Sequence, residues 1–456
     1  MQNENQIATG FGEMATAGTA YLLFFLILLF PAASAVATVK MILLAVLLPL
    51  VALGAVLKGK FALDSNVAMI TGFFSAFGIV LVLRGMIIGA PGASNLAGVH
   101  AFWPLVYLIL IGGMLQVSTL KSLEKTIIVA AATIGTLAVA YLLSQLHVIP
   151  EIPHFDSLLP DDEATIGFYE GYVRMALPGV NSLSFLVPFL MATIVIRSSS
   201  RSARGSSKFW IWISLLLSMF VVIVSGRRAT TLALFLTPIL IFVFGFFAPS
   251  DERSAVMKSL RRFIVTAVVG VFLVILLLRP VYTISFEGFF DRFSSGFDFS
   301  ATSVDNSPDE RRQQYFALLN GWYEHPVLGA GLGEPAYGSV RSDVMPWAYE
   351  LSYLALLYQI GLLGLAIYAA GIAWIYFMGI KILRRGGMFA ESMLPLLVGM
   401  TCFLIANATN PYLAKFDGLW IIFFPVAVIN LWLLHRRNAG YLSLQNPASV
   451  ALGAGP

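Results

Sequence analysis

Runs of about 20 consecutive apolar residues recur along this chain, and a run of that length is what an α-helix needs to cross a bilayer. Twelve can be laid out, at about 18–37, 41–57, 66–89, 98–117, 126–146, 179–196, 209–225, 229–248, 263–280, 351–380, 389–408 and 417–434. In lipid a helix satisfies its own backbone hydrogen bonds, which an open strand cannot do. The expected fold class is therefore all-α, a polytopic integral membrane protein forming one membrane domain over residues 1–456. With 58% of residues hydrophobic and only 11% charged, a soluble globular domain is excluded. Cys402 is the single cysteine, so a disulfide framework or thiolate metal cluster is excluded as well.

Charge then orders the spans. Lys58, Lys60, Lys121, Lys125, Arg197, Arg201, Arg204, Lys208, Arg253, Lys258, Arg261, Arg262, Lys381, Arg384, Arg385, Arg436 and Arg437 all fall on one set of alternating connections, which includes the loops 197–208 and 249–262. The excess of Lys and Arg predicts that this side is cytoplasmic, with both termini on it. The segment 21–30 followed by Ala33-Ser34-Ala35 looks like the core and exit of a signal peptide. The first 20 residues, however, carry Glu4 and Glu13 and no Lys or Arg, so span one is expected to be retained.

Two extracytoplasmic loops exceed turn length, 147–178 and 281–350, and loops this long usually carry function. The second, between spans nine and ten, holds Phe286, Phe289, Phe290, Phe293, Phe297 and Phe299, enough apolar surface to fold against the membrane. Ser307-Pro308-Asp309-Glu310 reads as a helix start, with an N-cap, Pro at the first position and acids in the first turn. A helix is expected from Arg311 to Tyr323, ending before Pro326.

The polar candidates gather on the extracytoplasmic side. Arg227 and Arg228 open the inward-running span eight, where the helix dipole disfavours cations, so other groups should compensate them. They could equally snorkel to lipid headgroups. Arg311 and Arg312 head the loop helix, and arginine's planar fork suits phosphate oxygens; neutralisation by Asp309 and Glu310 is the plainer alternative. Gly329, Gly331 and Gly333 follow no strand and precede no Walker lysine, so they read as a turn or a close backbone approach before they read as a nucleotide loop. Glu350 stands at the mouth of span ten among Trp347, Tyr349 and Tyr353. It is placed to cap a helix, or to act as a general base desolvated by its aromatic neighbours. Those aromatics suit sugar stacking or an ordinary interfacial belt. Arg174, before Pro178-Gly179-Val180-Asn181, is a further anion-binding candidate, and Arg84 lies within span three. His100, His147, His154 and His435 have no metal-site spacing, and His325 reads as a turn residue.

Taken in order, these features resemble the bacterial O-antigen ligase and O-antigen polymerase family of membrane glycosyltransferases. Ser225-Gly226-Arg227-Arg228-Ala229 is similar to the family's Ser/Thr-Gly-x-Arg-Gly/Ala hairpin, with its arginine on Arg228. Arg311-x3-Tyr315, continuing to His325-Pro326-Val327-Leu328-Gly329-Ala330-Gly331, resembles the Arg-x3-Trp helix and the His-Pro-Leu-Leu-Gly-x-Gly string. Glu350-Leu351-Ser352-Tyr353-Leu354 ahead of Gly361-Leu362-Leu363-Gly364 resembles the His-Asn-x-Tyr-Leu…Gly-x-x-Gly segment. Arg174 and Asn181 look like the family's arginine and asparagine at the entry to the span before the central cytoplasmic loop. The likeness covers mainly residues 170–380. Glu350 and Leu351 depart from the ligases' histidine and asparagine, which favours a polymerase.

The resemblance implies a protein of the bacterial inner membrane that acts on its periplasmic face, in polysaccharide biosynthesis for O-antigen, capsule or exopolysaccharide. Undecaprenyl-diphosphate-linked oligosaccharide would be both donor and acceptor, with the bilayer as a further partner, no nucleic acid, and a chain-length regulator protein left open. Glu350, Arg228 and Arg311 would be catalytic, and Arg174, Arg227, Arg312, Tyr315, Gly331, Tyr349 and Tyr353 would bind substrate. No cofactor or metal is expected, because arginines can stabilise the leaving diphosphate, and one carboxylate implies inversion. A ligase transferring the glycan to lipid A core is the near alternative. A transporter is the distant one, and would be expected to show related six-span halves, which are not evident here.

Overall fold

A computed structural model describes residues 2–31, 34–58, 61–114, 117–150, 165–169, 172–199, 205–278, 307–339 and 342–445. Within them lie thirteen helices: α1 (Gln2–Leu29), α2 (Ser34–Lys58), α3 (Ser65–Ile87), α4 (Ala93–Met114), α5 (Val117–Gln145), α6 (Leu183–Ser199), α7 (Gly205–Ser225), α8 (Arg228–Gly245), α9 (Ser250–Leu278), α10 (Ser307–Glu324), α11 (Ser352–Leu383), α12 (Met388–Asn407) and α13 (Phe416–Gln445). A short antiparallel hairpin, β1 (Thr165–Tyr169) with β2 (Tyr172–Ala176), precedes α6, its register pairing Gly167 with Arg174.

Ten segments among the described residues are long and apolar enough to cross a membrane: α2 to α8, α11, α12 and the Phe416–Asn438 part of α13. The chain is a multi-pass integral membrane protein. Of the other two expected spans, the first is the shorter apolar stretch Met14–Leu29 and the ninth lies within α9. The expected first span ran to residue 37, but α1 stops at Leu29, because Pro31 cannot continue the hydrogen-bond ladder and biases the residue before it away from helix. The second span accordingly begins at Ser34. Helix α9 starts at Ser250, taking Arg253, Lys258, Arg261 and Arg262 into its polar first half, with Asp251 and Glu252 favourably placed in its first turn. The phenylalanines of 286–299 lie outside the described residues.

Helix α6 is the hub. In an 18-residue stretch of Gly179–Ser199, 94% of residues are buried, against 22% in the matching stretches of α2 and α11, so apolar side chains all around α6 meet protein where those of α2 and α11 meet lipid. It packs on α7, α8, α9 and α12. Ile87, Val56 and Met69 show the other extreme, large apolar side chains that are mostly exposed and fit a hydrocarbon solvent.

Polar contacts between helix ends join connections of the same parity. At one end Arg437 reaches Asp64 at 3.1 Å, Arg197 reaches Glu124 at 3.4 Å, and the Gly387 amide donates to Glu252 at 3.2 Å. At the other, Lys40 meets Asp417 and Arg311 meets Glu350. Asp64 is the N-cap of α3 and accepts from the Asn66 amide at 2.9 Å, while its own amide donates to Asn430 on α13 at 2.8 Å. Asp64→Ala removes a buried cap and is expected to cost about 1–2 kcal/mol. A fall in thermal midpoint of the detergent-solubilised protein checks this, and an unchanged midpoint counts against it.

Candidate functional site

The candidate site assembles at the Glu350 end from five separated pieces of chain. Gly226 turns at φ 62°, letting α7 and α8 form a tight hairpin, and leaves Arg227 as the extended N-cap residue of α8. The 3-10 turn Pro178–Ser182 carries Asn181 to the same place, and a second 3-10 turn, Tyr412–Ala414, brings Tyr412. The Arg227 guanidinium donates to Asn181 Oδ1, and the Tyr412 hydroxyl donates to the same oxygen at 3.3 Å. These are the groups that compensate a cation at the wrong end of a helix dipole.

The loop helix α10 contributes the other half. Arg311 Nε donates to Glu350 Oε2 at 2.6 Å, a short charge-assisted hydrogen bond between partly buried groups. One turn along, buried Gln314 accepts from the Glu350 amide at 3.0 Å, fixing the backbone that carries the carboxylate. Tyr412 feels the charge of both halves. Burial raises its hydroxyl above the usual range, the neighbouring Arg227 draws it down by charge and by hydrogen bond, and the Glu350 carboxylate pushes it up. Arg311 with Glu350 and Arg227 with Asn181 and Tyr412 are thus two bonded groups, and the Glu350 charge is felt at the Tyr412 hydroxyl.

Below them, α11 breaks at Gly361, whose φ of 68° and ψ of −176° belong to a region that is essentially glycine's own. The segment 326–331 fills the break. Ala330 and Gly331 donate their amides to Tyr358 and Gln359 at 2.8 and 2.9 Å, and Leu362 and Leu363 donate back to Pro326 and Val327 at 2.9 and 3.1 Å. Every freed backbone group named here finds a partner within the protein, the condition for non-helical backbone inside an apolar helix. Arg84 secures the segment from α3, donating to Leu328 and Gly329 carbonyls at 2.7 and 2.5 Å. The glycine run is thus a close-packed plug, and Gly331 is buried against Ile88.

The remaining sequence candidates fall in different places. Tyr349 is 2% exposed, and its hydroxyl accepts from the Ala336 amide at 2.6 Å; burial pushes its pKa up, the Ala336 amide draws it down and the Glu334 charge pushes it up. It anchors the loop on α11, in a cluster with Leu318, Ala336, Ala355 and Tyr358. Tyr353 donates to the Leu404 carbonyl at 2.6 Å and ties α11 to α12. Arg312 and Tyr315 lie exposed on the outer flank of α10, Tyr315 edge-on to Phe316 at 5.4 Å. Arg228 begins α8, partly buried beside Arg227. Arg174 sits in β2 immediately before buried Met175, and the turn that carries Asn181 follows the strand; the Arg174 side chain lies outside the described residues.

Sequence reasoning did not single out Tyr412 or Gln314. The Asn410-Pro411 pair just before Tyr412 is the turn signal that pointed there. No protein-family model and no curated protein matches this sequence.

Proposed function

We propose that this chain is a polysaccharide polymerase of the bacterial inner membrane. It would transfer a glycan from undecaprenyl diphosphate to the nonreducing-end sugar of another lipid-linked repeat unit, at the periplasmic face. The observation that supports this best is the pairing of Arg311 with Glu350 at the same end of the bundle as the Arg227–Asn181–Tyr412 group, cations and a carboxylate opposite the basic connections.

In this reading an acceptor hydroxyl attacks C1 of the donor sugar, and the bond from C1 to the diphosphate oxygen breaks with its electron pair on the leaving undecaprenyl diphosphate. Glu350 takes the hydroxyl proton. At rest Arg311 holds that carboxylate. An arriving diphosphate competes for the same guanidinium, so donor binding both neutralises the leaving group and releases the base. Arg227 and Arg228 at the start of α8 complete the anion-binding surface, with Arg174, Arg312 and Tyr315 on the approach. Tyr349, Tyr353 and Gly331 act through the backbone they hold. With Glu350 as base and the acceptor hydroxyl attacking C1 directly, transfer inverts the anomeric centre.

Transfer is expected to survive EDTA, since arginines supply the charge stabilisation; complete loss restored by magnesium would count against it. Expression in strains lacking each activity separates the readings. Long glycan ladders mark a polymerase, a single capped lipid A core marks a ligase, and untranslocated intermediates mark a transporter.

A further inference from the structure

A second charged pair lies away from these groups, where charge is hardest to keep. Lys40, near the start of α2, and Asp417, in the first turn of α13, are 1% and 3% exposed and meet at 2.7 Å. Lys40 stands at the wall of a cavity otherwise lined almost wholly by apolar side chains, among them Leu23, Phe24, Val106 and Trp420. Desolvating two charges there is expensive, and an apolar pair of similar volume would commonly fill the place at no loss of stability. Packing alone does not account for the pair.

Its contacts suggest what does. The Lys40 ammonium also donates to the Phe30 carbonyl at 2.9 Å, just beyond the C-terminus of α1, where carbonyls lack helical partners. The same last turn of α1 seats the Asn181 turn. Ser182 Oγ donates to the Leu28 carbonyl at 2.8 Å, and a Cβ on Gly179 would lie 2.9 Å from the Leu29 carbonyl. Asp417 for its part opens α13 directly after the Tyr412 turn, and the Gly418 amide closes that junction on the Lys415 carbonyl at 3.0 Å. A Cβ on Gly418 would lie 2.4 Å from the Tyr412 carbonyl, so turn and helix are pressed together. One ammonium thus ties the seat of Asn181 to the carrier of Tyr412, the two residues that meet at Asn181 Oδ1.

We infer that Lys40 and Asp417 are positioning residues that set the Asn181 turn and the Tyr412 turn in register, and so place Arg227. This deepens the polymerase reading and rests on it for its catalytic consequence. The geometric part stands independently. Misplacing a reacting group by about 1 Å can cost about 100-fold in rate.

The test uses the full chain with 3-fluorotyrosine at position 412, read by fluorine NMR, alongside kinetics with the lipid-linked repeat unit. Lys40→Met with Asp417→Leu replaces the ion pair by apolar side chains. The expected result is a thermal midpoint near that of the parent, a displaced or broadened fluorine signal, and a kcat at least about tenfold lower with a smaller change in KM. A folded double variant with the parent fluorine signal and parent kcat overturns the inference. Should the double variant not fold, Asp417→Asn is measured the same way, a displaced signal supporting positioning and an unmoved one overturning it. If the parent protein transfers no glycan but the fluorine signal moves, the polymerase reading falls while the positioning of the turns stands.

Discussion

Glu350→Gln is expected to lower glycan transfer by about 100- to 10,000-fold, the usual contribution of a positioned general base, while the protein remains in the membrane at parent levels. Glutamine keeps the side chain's size and can still accept from Arg311 Nε, so the contact between α10 and the start of α11 survives in weakened form. The bond from the Glu350 backbone amide to Gln314 does not involve the substituted carboxylate. What disappears is the proton acceptor. Product sizing from cells carrying the variant checks this directly, and parent chain lengths would sink the role of Glu350 as base.

The largest structural effect is expected at Gly361→Ala. Its φ of 68° with ψ of −176° alone costs a residue with a side chain about 1–3 kcal/mol. A Cβ would also lie 2.3 Å from the Val327 carbonyl oxygen and 2.4 Å from the Gly329 amide, both backbone atoms that cannot rotate away. Relief requires expelling the 326–331 segment from the break, which strips the amides of Leu362 and Leu363 of their partners. Folded protein after detergent extraction is expected to fall sharply, and transfer with it. A variant as stable as the parent would show that the plug is dispensable.

These two positions were not equally legible in the sequence. Hydropathy located the spans because a bilayer imposes a minimum apolar length, and it misplaced ends where that constraint is silent: at Pro31, where one run hid a helix break, and at Ser250, where α9 continues through four cations that a hydropathy window rejects. Gly361 and Gly364 were visible as a motif, yet nothing local shows that an apolar helix opens and takes in a loop from another segment. The Arg311–Glu350 contact joins residues whose types and order already stood out. Tyr412 did not stand out, because its three-residue turn carries no charge of its own and its partner Asn181 is 231 positions away. Arg227 and Arg228 are adjacent and alike in type, and that Arg227 reaches Asn181 is a fact of geometry that residue type does not show.

Glycan transfer is assigned to the groups around Arg311–Glu350 and Arg227–Asn181–Tyr412. Its most direct test is incubation of the purified full-length protein with an undecaprenyl-diphosphate-linked repeat unit, followed by sizing of the lipid-linked products. The expected result is a ladder of lengthened glycans with one undecaprenyl diphosphate released for each new linkage, and no ladder from Glu350→Gln. Unchanged repeat units with the folded parent protein, or an equal ladder from the variant, would contradict it.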